Sequence, residues 1–377
     1  MIFEIEKENT ACKARAGILK TEHSTVNTPV FMPVGTQGTV KAVTQRDLKD
    51  IDFKIILGNT YHLYLRPCLD TLEKAGGLHK FMNWDSSILT DSGGFQVYSL
   101  SGLRKINKDG VKFKSHIDGS YHTFTPENVV ETQRSIGSDI MMVLDECLEH
   151  PVDYDRAYKS NNLTLKWAER AKVKFENTNS MYGYSQALFA ITQGSTFEEI
   201  RSISTKTLVD LNFEGYAIGG LAVGESANEM YRIVDFSTNL LPAKKPRYLM
   251  GVGTPENILE CIELGIDMFD CVMPTRNGRN AMLFTRNGIL SMKNSCHIDN
   301  LKSPDEECGC YLCMNHSRAY LRHLFIVKEI LALQLASIHN LYFYKWLVSE
   351  ARTKILDGSF IEWKKDIIKK LNYRIKD

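Results

Sequence analysis

The sequence predicts an α/β protein built as a (β/α)8 TIM barrel with insertions, with a doubly wound sheet as the alternative. Three observations carry this. Eight short apolar or β-branched runs recur along the 377 residues, each bounded by glycine or a polar residue. Helix-like stretches follow them in β-then-α alternation. Most runs are apolar at successive positions, as in Ile140-Met141-Met142-Val143-Leu144 and Ala187-Leu188-Phe189-Ala190-Ile191, which is how strands covered on both faces read.

In chain order the strands are expected at 29–35, 54–58, 87–91, 139–145, 187–193, 215–221, 247–252 and 268–274. Among the crossover helices, 126–137 opens with Thr125-Pro126-Glu127, a cap, an N1 proline and an acidic first turn. Thr254-Pro255-Glu256-Asn257 repeats the device before 258–264, Ser195-Thr196-Phe197-Glu198-Glu199 opens another helix, and 153–175 reads as a longer amphipathic one. A single long helix is expected over 315–352. Residues 1–28, the loop around 100–125 and the region after 285 do not fit a minimal barrel. With no repeats and no Pro/Ser-rich linker, 1–377 reads as one barrel domain, with a metal-binding insertion around 290–340.

Composition narrows the class. Hydrophobic residues make up 43% and charged residues 24%, with 25 Gly and 10 Pro, which excludes disordered and low-complexity chains. No run approaches the ~20 apolar residues a membrane span needs. The charged start Glu4-Ile5-Glu6-Lys7-Glu8 lacks a signal-peptide core, so a cytoplasmic protein is expected. Lys+Arg total 46 against 45 Asp+Glu, an average that argues against a dedicated nucleic-acid binder. The distribution differs from the average: between Cys271 and Ile298 stand Arg276, Arg279, Arg286 and Lys293 with no acid. Basic loops there would hold a polyanion beside whatever chemistry the last strand carries.

Barrel enzymes place catalytic groups at the C-terminal ends of strands. Here those ends carry Asp91-Ser92-Gly93-Gly94-Phe95-Gln96, Asp145-Glu146-Cys147, Gln193-Gly194, Gly219-Gly220-Leu221, Met250-Gly251-Val252-Gly253 and Asp270. Two carboxylates can divide the roles of nucleophile and general acid/base. A third, beside a glutamine, can read a donor-rich edge such as that of guanine. Phe95 and Met250 can cover the faces of a flat ligand. A strand-end Asp is more often a turn former; Asp270, inside an apolar run, is the strongest of the three, because burial there without a role is costly.

Cys308-Gly309-Cys310-Tyr311-Leu312-Cys313 offers three thiolates to one Zn2+, and a closed tetrahedral site needs a fourth ligand. His316, His323 and His339 are the candidates, and spacing does not choose among them. Four protein ligands imply a structural metal.

These motifs, with Gly58-Asn59-Thr60-Tyr61-His62-Leu63, Gly219-Gly220-Leu221-Ala222-Val223-Gly224-Glu225 and Thr275-Arg276-Asn277-Gly278-Arg279, strongly resemble the bacterial type of tRNA-guanine transglycosylase (queuine tRNA-ribosyltransferase) over essentially the whole chain. The resemblance implies a zinc-bearing barrel, commonly a homodimer, that serves queuosine biosynthesis. It exchanges the wobble guanine of tRNAs with GUN anticodons for a 7-deazaguanine base. It implies Asp270 as the nucleophile on ribose C1′, giving a covalent tRNA–enzyme intermediate, and Asp91 as general acid/base. Ser92, Gly93 and Gly94 accompany Asp91 in the base site. Asp145, Gln193 and the Gly220 amide would read the purine edge, the Leu221 carbonyl would lie near the 7-substituent, and Phe95 and Met250 would sandwich the ring. Gly251, Val252, Gly253, Thr254, Pro255, Glu256 and Asn257, with Thr275, Arg276, Asn277, Gly278 and Arg279, would contact the anticodon loop. For the structural zinc, the family pattern selects His339 beside Cys308, Cys310 and Cys313. Val223 and Cys147 match the bacterial pattern, which points to 7-aminomethyl-7-deazaguanine, with queuine as the alternative incoming base. A zinc-assisted barrel hydrolase and a non-catalytic RNA-binding module are the competing function classes.

Overall fold

The computed structural model describes residues 1–100 and 104–375; of residues 98–100 only the backbone is described. Residues 101–103 of the expected 100–125 loop, and Lys376 and Asp377, lie outside the described residues.

The expected barrel forms. Its strands are Val30–Met32 with Val34–Gly35, then Ile55–Gly58, Ser87–Thr90, Ile140–Met142, Ala187–Thr192, Gly215–Ile218, Arg247–Leu249 and Met268–Asp270. Each pairs in parallel with the next. The two pieces of the first strand stand at opposite ends of this sheet: Val30–Met32 pairs with Met268–Asp270, and Val34–Gly35 with Ile55–Gly58. Pro33 separates them because it has no N–H for the ladder, yet its carbonyl still accepts from Leu57 N at 2.9 Å. The ring therefore closes, and the doubly wound alternative falls. Ala187–Thr192 is buried at every position, as a strand between barrel interior and helix layer must be.

Caps fix where the helices begin, and hence where the strand-end loops stop. Thr125 and Asn128 form a capping box before Pro126–Ile136, which ends on left-handed Gly137. Asp153 caps Tyr154–Glu176, and Thr254 caps Pro255–Glu263. The expected Ser195-Thr196 start is corrected: the helix is Glu198–Asp210, and its N-cap position, Phe197, makes no side-chain cap. Ser195 instead sits in the loop at φ 50°.

The segments that fitted no barrel unit form small additions. Ile2–Glu8, Arg15–Lys20 and Thr25–Thr28 make an antiparallel sheet at the N-terminal end of the barrel. There Arg15 forms a buried two-point ion pair with Asp267, whose carboxylate also accepts from Arg247 N. Arg104–Asn107, Gly110–Lys114 and Tyr121–Phe124 make a second antiparallel sheet. After the hairpin Met282–Thr285/Gly288–Ser291 come the helices Tyr311–Asn315, Arg318–Ile326, Ile330–Asp357 and Phe360–Leu371. The single helix expected over 315–352 is thus three, the last break falling at Lys328, whose φ is 62°. His323 and His339 consequently lie on different helices.

Candidate active site

A cavity of about 470 Å3 opens at the C-terminal rim of the barrel, and Asp91, Asp145 and Asp270 all line it. Asp91 follows the third strand. Its carboxylate accepts from Asn59 Nδ2, from Thr60 N at 2.9 Å and from Gly93 N at 3.2 Å. Burial pushes the carboxyl up to about 6 against those hydrogen bonds, and the charge of Asp270 adds to the rise.

Asp270 ends the eighth strand. Its Oδ1 accepts from the buried Tyr248 hydroxyl at 2.6 Å and from Gly251 N at 2.9 Å. Oδ2 has no hydrogen-bond partner among the described residues. Burial raises its pKa, and the two donors oppose that rise. One oxygen is thus anchored and the other left for a ligand. Asp145, after the fourth strand, accepts from Ser92 Oγ at 3.1 Å and from Gln193 Nε2 at 2.7 Å, and burial also pushes it up to about 6.

Glycines let the backbone pack closely around this cavity. A Cβ on Gly94 would stand 2.7 Å from the Asp145 carbonyl, and one on Gly220, whose φ is +64°, 2.4 Å from Gln193 Oε1. Leu221, Met250 and Phe95 also line it, Phe95 with half its surface exposed. Val223 and Cys147 lie on the same wall, and burial pushes the Cys147 thiol up to about 12. The sequence-predicted base-site residues line this cavity except Gly94 and Gln193, which stand outside its lining, Gln193 hydrogen-bonded to the Asp145 carboxylate.

The two segments expected to contact RNA divide by exposure. Gly251 and Arg276 are exposed, and Thr254, Glu256, Asn257, Asn277 and Arg279 partly so, whereas Val252, Gly253, Pro255, Thr275 and Gly278 are buried. Their support is the helix Ile330–Asp357. Tyr344 donates its hydroxyl to the Gly253 carbonyl, Asn340 Nδ2 donates to the Pro274 carbonyl at 2.9 Å, and the Ala336 backbone packs where a Cβ on Gly278 would stand at 2.9 Å.

The same helix carries His339. Its Nδ1 lies 3.8, 3.4 and 3.3 Å from the sulfurs of Cys308, Cys310 and Cys313, and all four residues are buried. Tetrahedral zinc with ordinary Zn–S and Zn–N bond lengths separates sulfur from nitrogen by about 3.6 Å, so the donor set fits a metal. Nε2 donates to the Phe284 carbonyl at 2.8 Å, which leaves Nδ1 as the lone-pair nitrogen. His316 and His323 lie outside the cluster. A second group, His23, His79 and Asp139, lies at the opposite end of the barrel. Its imidazoles stack 3.8 Å apart, so one ion cannot lie in both ring planes. Neither donor group includes Asp91 or Asp270.

Sequence reasoning missed Tyr248, which faces Asp270 from an ordinary apolar strand, and Arg201, buried behind Gly219 and Gly220. Nothing in the spacing marks either. Asn59 stood in a quoted motif without a role.

A closed barrel with its carboxylates converging on the C-terminal rim defines an α/β-barrel enzyme. A family model described as queuine tRNA-ribosyltransferase matches residues 10–373. Relatives named queuine tRNA-ribosyltransferase share 56% identity over 98% of this chain and 97% of the protein from Caldanaerobacter subterraneus, and 55% over 99% and 98% for that from Thermoanaerobacter pseudethanolicus. A third, from Ruminiclostridium cellulolyticum, is 49% identical over 98% of both chains. The chain belongs to the queuine tRNA-ribosyltransferase family.

Proposed function

We propose that the protein exchanges the wobble guanine of GUN-anticodon tRNA for 7-aminomethyl-7-deazaguanine by double displacement, in queuosine biosynthesis. The observation that carries this is the pairing of Asp270, anchored through one oxygen, with Asp91 in the same slot. Asp270 Oδ2 attacks ribose C1′, the C1′–N9 bond breaks, and its electron pair leaves on guanine, which takes the Asp91 proton. The incoming base returns a proton from N9 to Asp91, attacks C1′ and releases the Asp270 carboxylate. A carboxyl near 6 holds both protonation states within reach of neutral pH, as alternating acid and base roles require.

Asp145, held by Gln193, and the Gly220 amide read the purine edge, with Ser92 and Gly93 beside them and Phe95 and Met250 covering the faces. Val223 and Cys147 on the wall support the aminomethyl base over the bulkier queuine. Cys308, Cys310, Cys313 and His339 would hold one structural Zn2+, which braces the fold and takes no part in the exchange. The reading includes a homodimer in the cytoplasm. Leu301, Met314 and Ile330, 83%, 70% and 78% exposed on the zinc-bearing region, support an apolar contact with a second copy. Among the described residues no helix is long and apolar enough to cross a membrane.

The test mixes the protein with GUN-anticodon tRNA and radiolabelled guanine. Incorporation and a denaturation-resistant tRNA adduct are expected, both lost in Asp270→Asn. An Asp270→Asn protein that still incorporates label would overturn the mechanism, and absence of incorporation by the wild type would overturn the function. Competition between the aminomethyl base and queuine decides the substrate.

A further inference from the structure

Behind the base slot lies a cation that the exchange chemistry does not use. Arg201, on the helix Glu198–Asp210, has no exposed surface. Its Nε donates to the Ser195 carbonyl at 2.9 Å and its Nη1 to the Thr192 carbonyl at 3.1 Å. Nη2 donates to the Gly219 carbonyl at 2.8 Å and, at 3.4 Å, to that of Gly220. Among the described residues none of these partners is a carboxylate. Burial lowers its pKa only to about 10, so the guanidinium stays charged at neutral pH.

The Thr192 carbonyl ends the fifth strand, and the other three belong to the loops after the fifth and sixth strands, which hold groups that face a purine. Gly219 O and Gly220 N–H are the two ends of one peptide group. In a trans peptide they point in opposite directions. With the oxygen held from behind by Arg201, the N–H is turned toward the slot, where it lies against the sulfur of Cys147. A positive charge on the carbonyl end also strengthens the N–H as a donor. One turn further along the same helix, Ser204 Oγ accepts from Gln193 N at 3.0 Å, so this helix also fixes the residue that holds the Asp145 carboxylate.

We propose that Arg201 is a positioning residue for the nucleobase, holding and polarising the Gly219–Gly220 peptide so that its N–H is a fixed donor to the purine. This rests on the exchange function above. Arg134 is the matched comparison: another buried guanidinium, bound to the Phe175 and Thr178 carbonyls and to Gln186, at the opposite end of the barrel.

The experiment measures guanine exchange into tRNA, with guanine binding to the free enzyme by calorimetry, for the wild type, Arg201→Lys, Arg201→Gln and Arg134→Lys. For both Arg201 variants the KM and Kd for guanine should rise roughly tenfold or more, the size expected for a weakened buried hydrogen bond, with KM for tRNA within about twofold of wild type. Arg201→Gln, which loses the charge, should be the worse. Arg134→Lys should lower Tm and leave both KM values unchanged. Equal rises in both KM values, or a loss of kcat alone, would overturn the proposal. So would failure of both Arg201 variants to fold while Arg134→Lys folds, which would make the role purely structural. A wild type that exchanges no guanine would instead defeat the function itself.

Discussion

Asp145 and Asp91 show at single residues what the site costs the fold. Each is pushed up to about 6 from an ordinary 3.8, because burial outweighs the hydrogen bonds that favour the anion. Between pH 4 and 6 the native state therefore keeps protons that the unfolded chain releases, so stability falls as pH rises through that window. Above pH 6 the whole penalty is present, at most about 3 kcal/mol per group. Asp145→Asn should therefore be more stable than wild type at pH 8, by roughly 1–3 kcal/mol, with the gain shrinking toward zero as pH falls below 5. Urea melts across that range check it, and a variant less stable at pH 8 would show that the Ser92 and Gln193 hydrogen bonds outweigh the burial. Asp139 is the contrast. Hydrogen bonds from His23 and His79 hold it at about 2, so its contribution is present above 3.8 and is lost as pH falls toward 2. In sequence Asp91 and Asp145 close an apolar run and Asp139 opens one, but nothing there gives their partners or burial. Only the structure separates a carboxyl held in a pocket from one tied into a histidine network.

At the scale of elements, legibility followed how much of each signal is local. Strands covered on both faces announce themselves, and so do caps such as Thr125 and Thr254, whose partners lie three residues away. The Ser195-Thr196 start failed because the loop there is shaped by Arg201, which draws the Ser195 carbonyl inward. The break at Lys328 was hidden because Val327-Lys328-Glu329 carries neither Gly nor Pro. The fourth member of the cysteine cluster is non-local, since His339 reaches the cysteines only because Ile330–Asp357 packs across them. That helix links the Cys3His cluster to the loops beside Asp270 through Asn340 and Tyr344. His339→Ala should reduce bound zinc by more than half and lower Tm by roughly 5 °C. It should also raise KM for tRNA more than KM for free base; His323→Ala should leave metal content unchanged. Atomic absorption, melts and exchange kinetics read all three, and unaltered zinc in His339→Ala would remove the histidine from the ligand set. Gly278→Ala probes the same joint by contact: its Cβ would press on the Ala336 backbone at 2.9 Å. Overpacking there should cost about 1–3 kcal/mol in chemical denaturation.

Across the whole molecule, a net charge of +1 is compatible with a polyanionic substrate because the charges are sorted by position. Asp91 and Asp145 are buried in the slot and Asp270 is half-buried at its edge, so these carboxylates contribute little to the outer field. Arg276 and Arg279 stand on the short helix Met273–Arg279 directly after Asp270, neither with an ion-pair partner among the described residues, and Arg279 leaves a buried Nη1 unbonded. Phosphates of an anticodon loop would find these two cations beside the slot. A few such contacts release few counterions, so log(kcat/KM) for tRNA should fall linearly with log[salt] with a slope of roughly −2 to −4. Arg276→Ala and Arg279→Ala should each make that slope shallower by about 0.7 to 1, the value of one phosphate contact. KM for free guanine, which is uncharged at neutral pH, should stay flat with salt in all three proteins. Slopes unchanged in both variants would place the phosphate contacts elsewhere on the rim. A base KM that climbs with salt alongside the tRNA term would mean that the two substrates share one electrostatic site, against the division between a buried slot and a basic border.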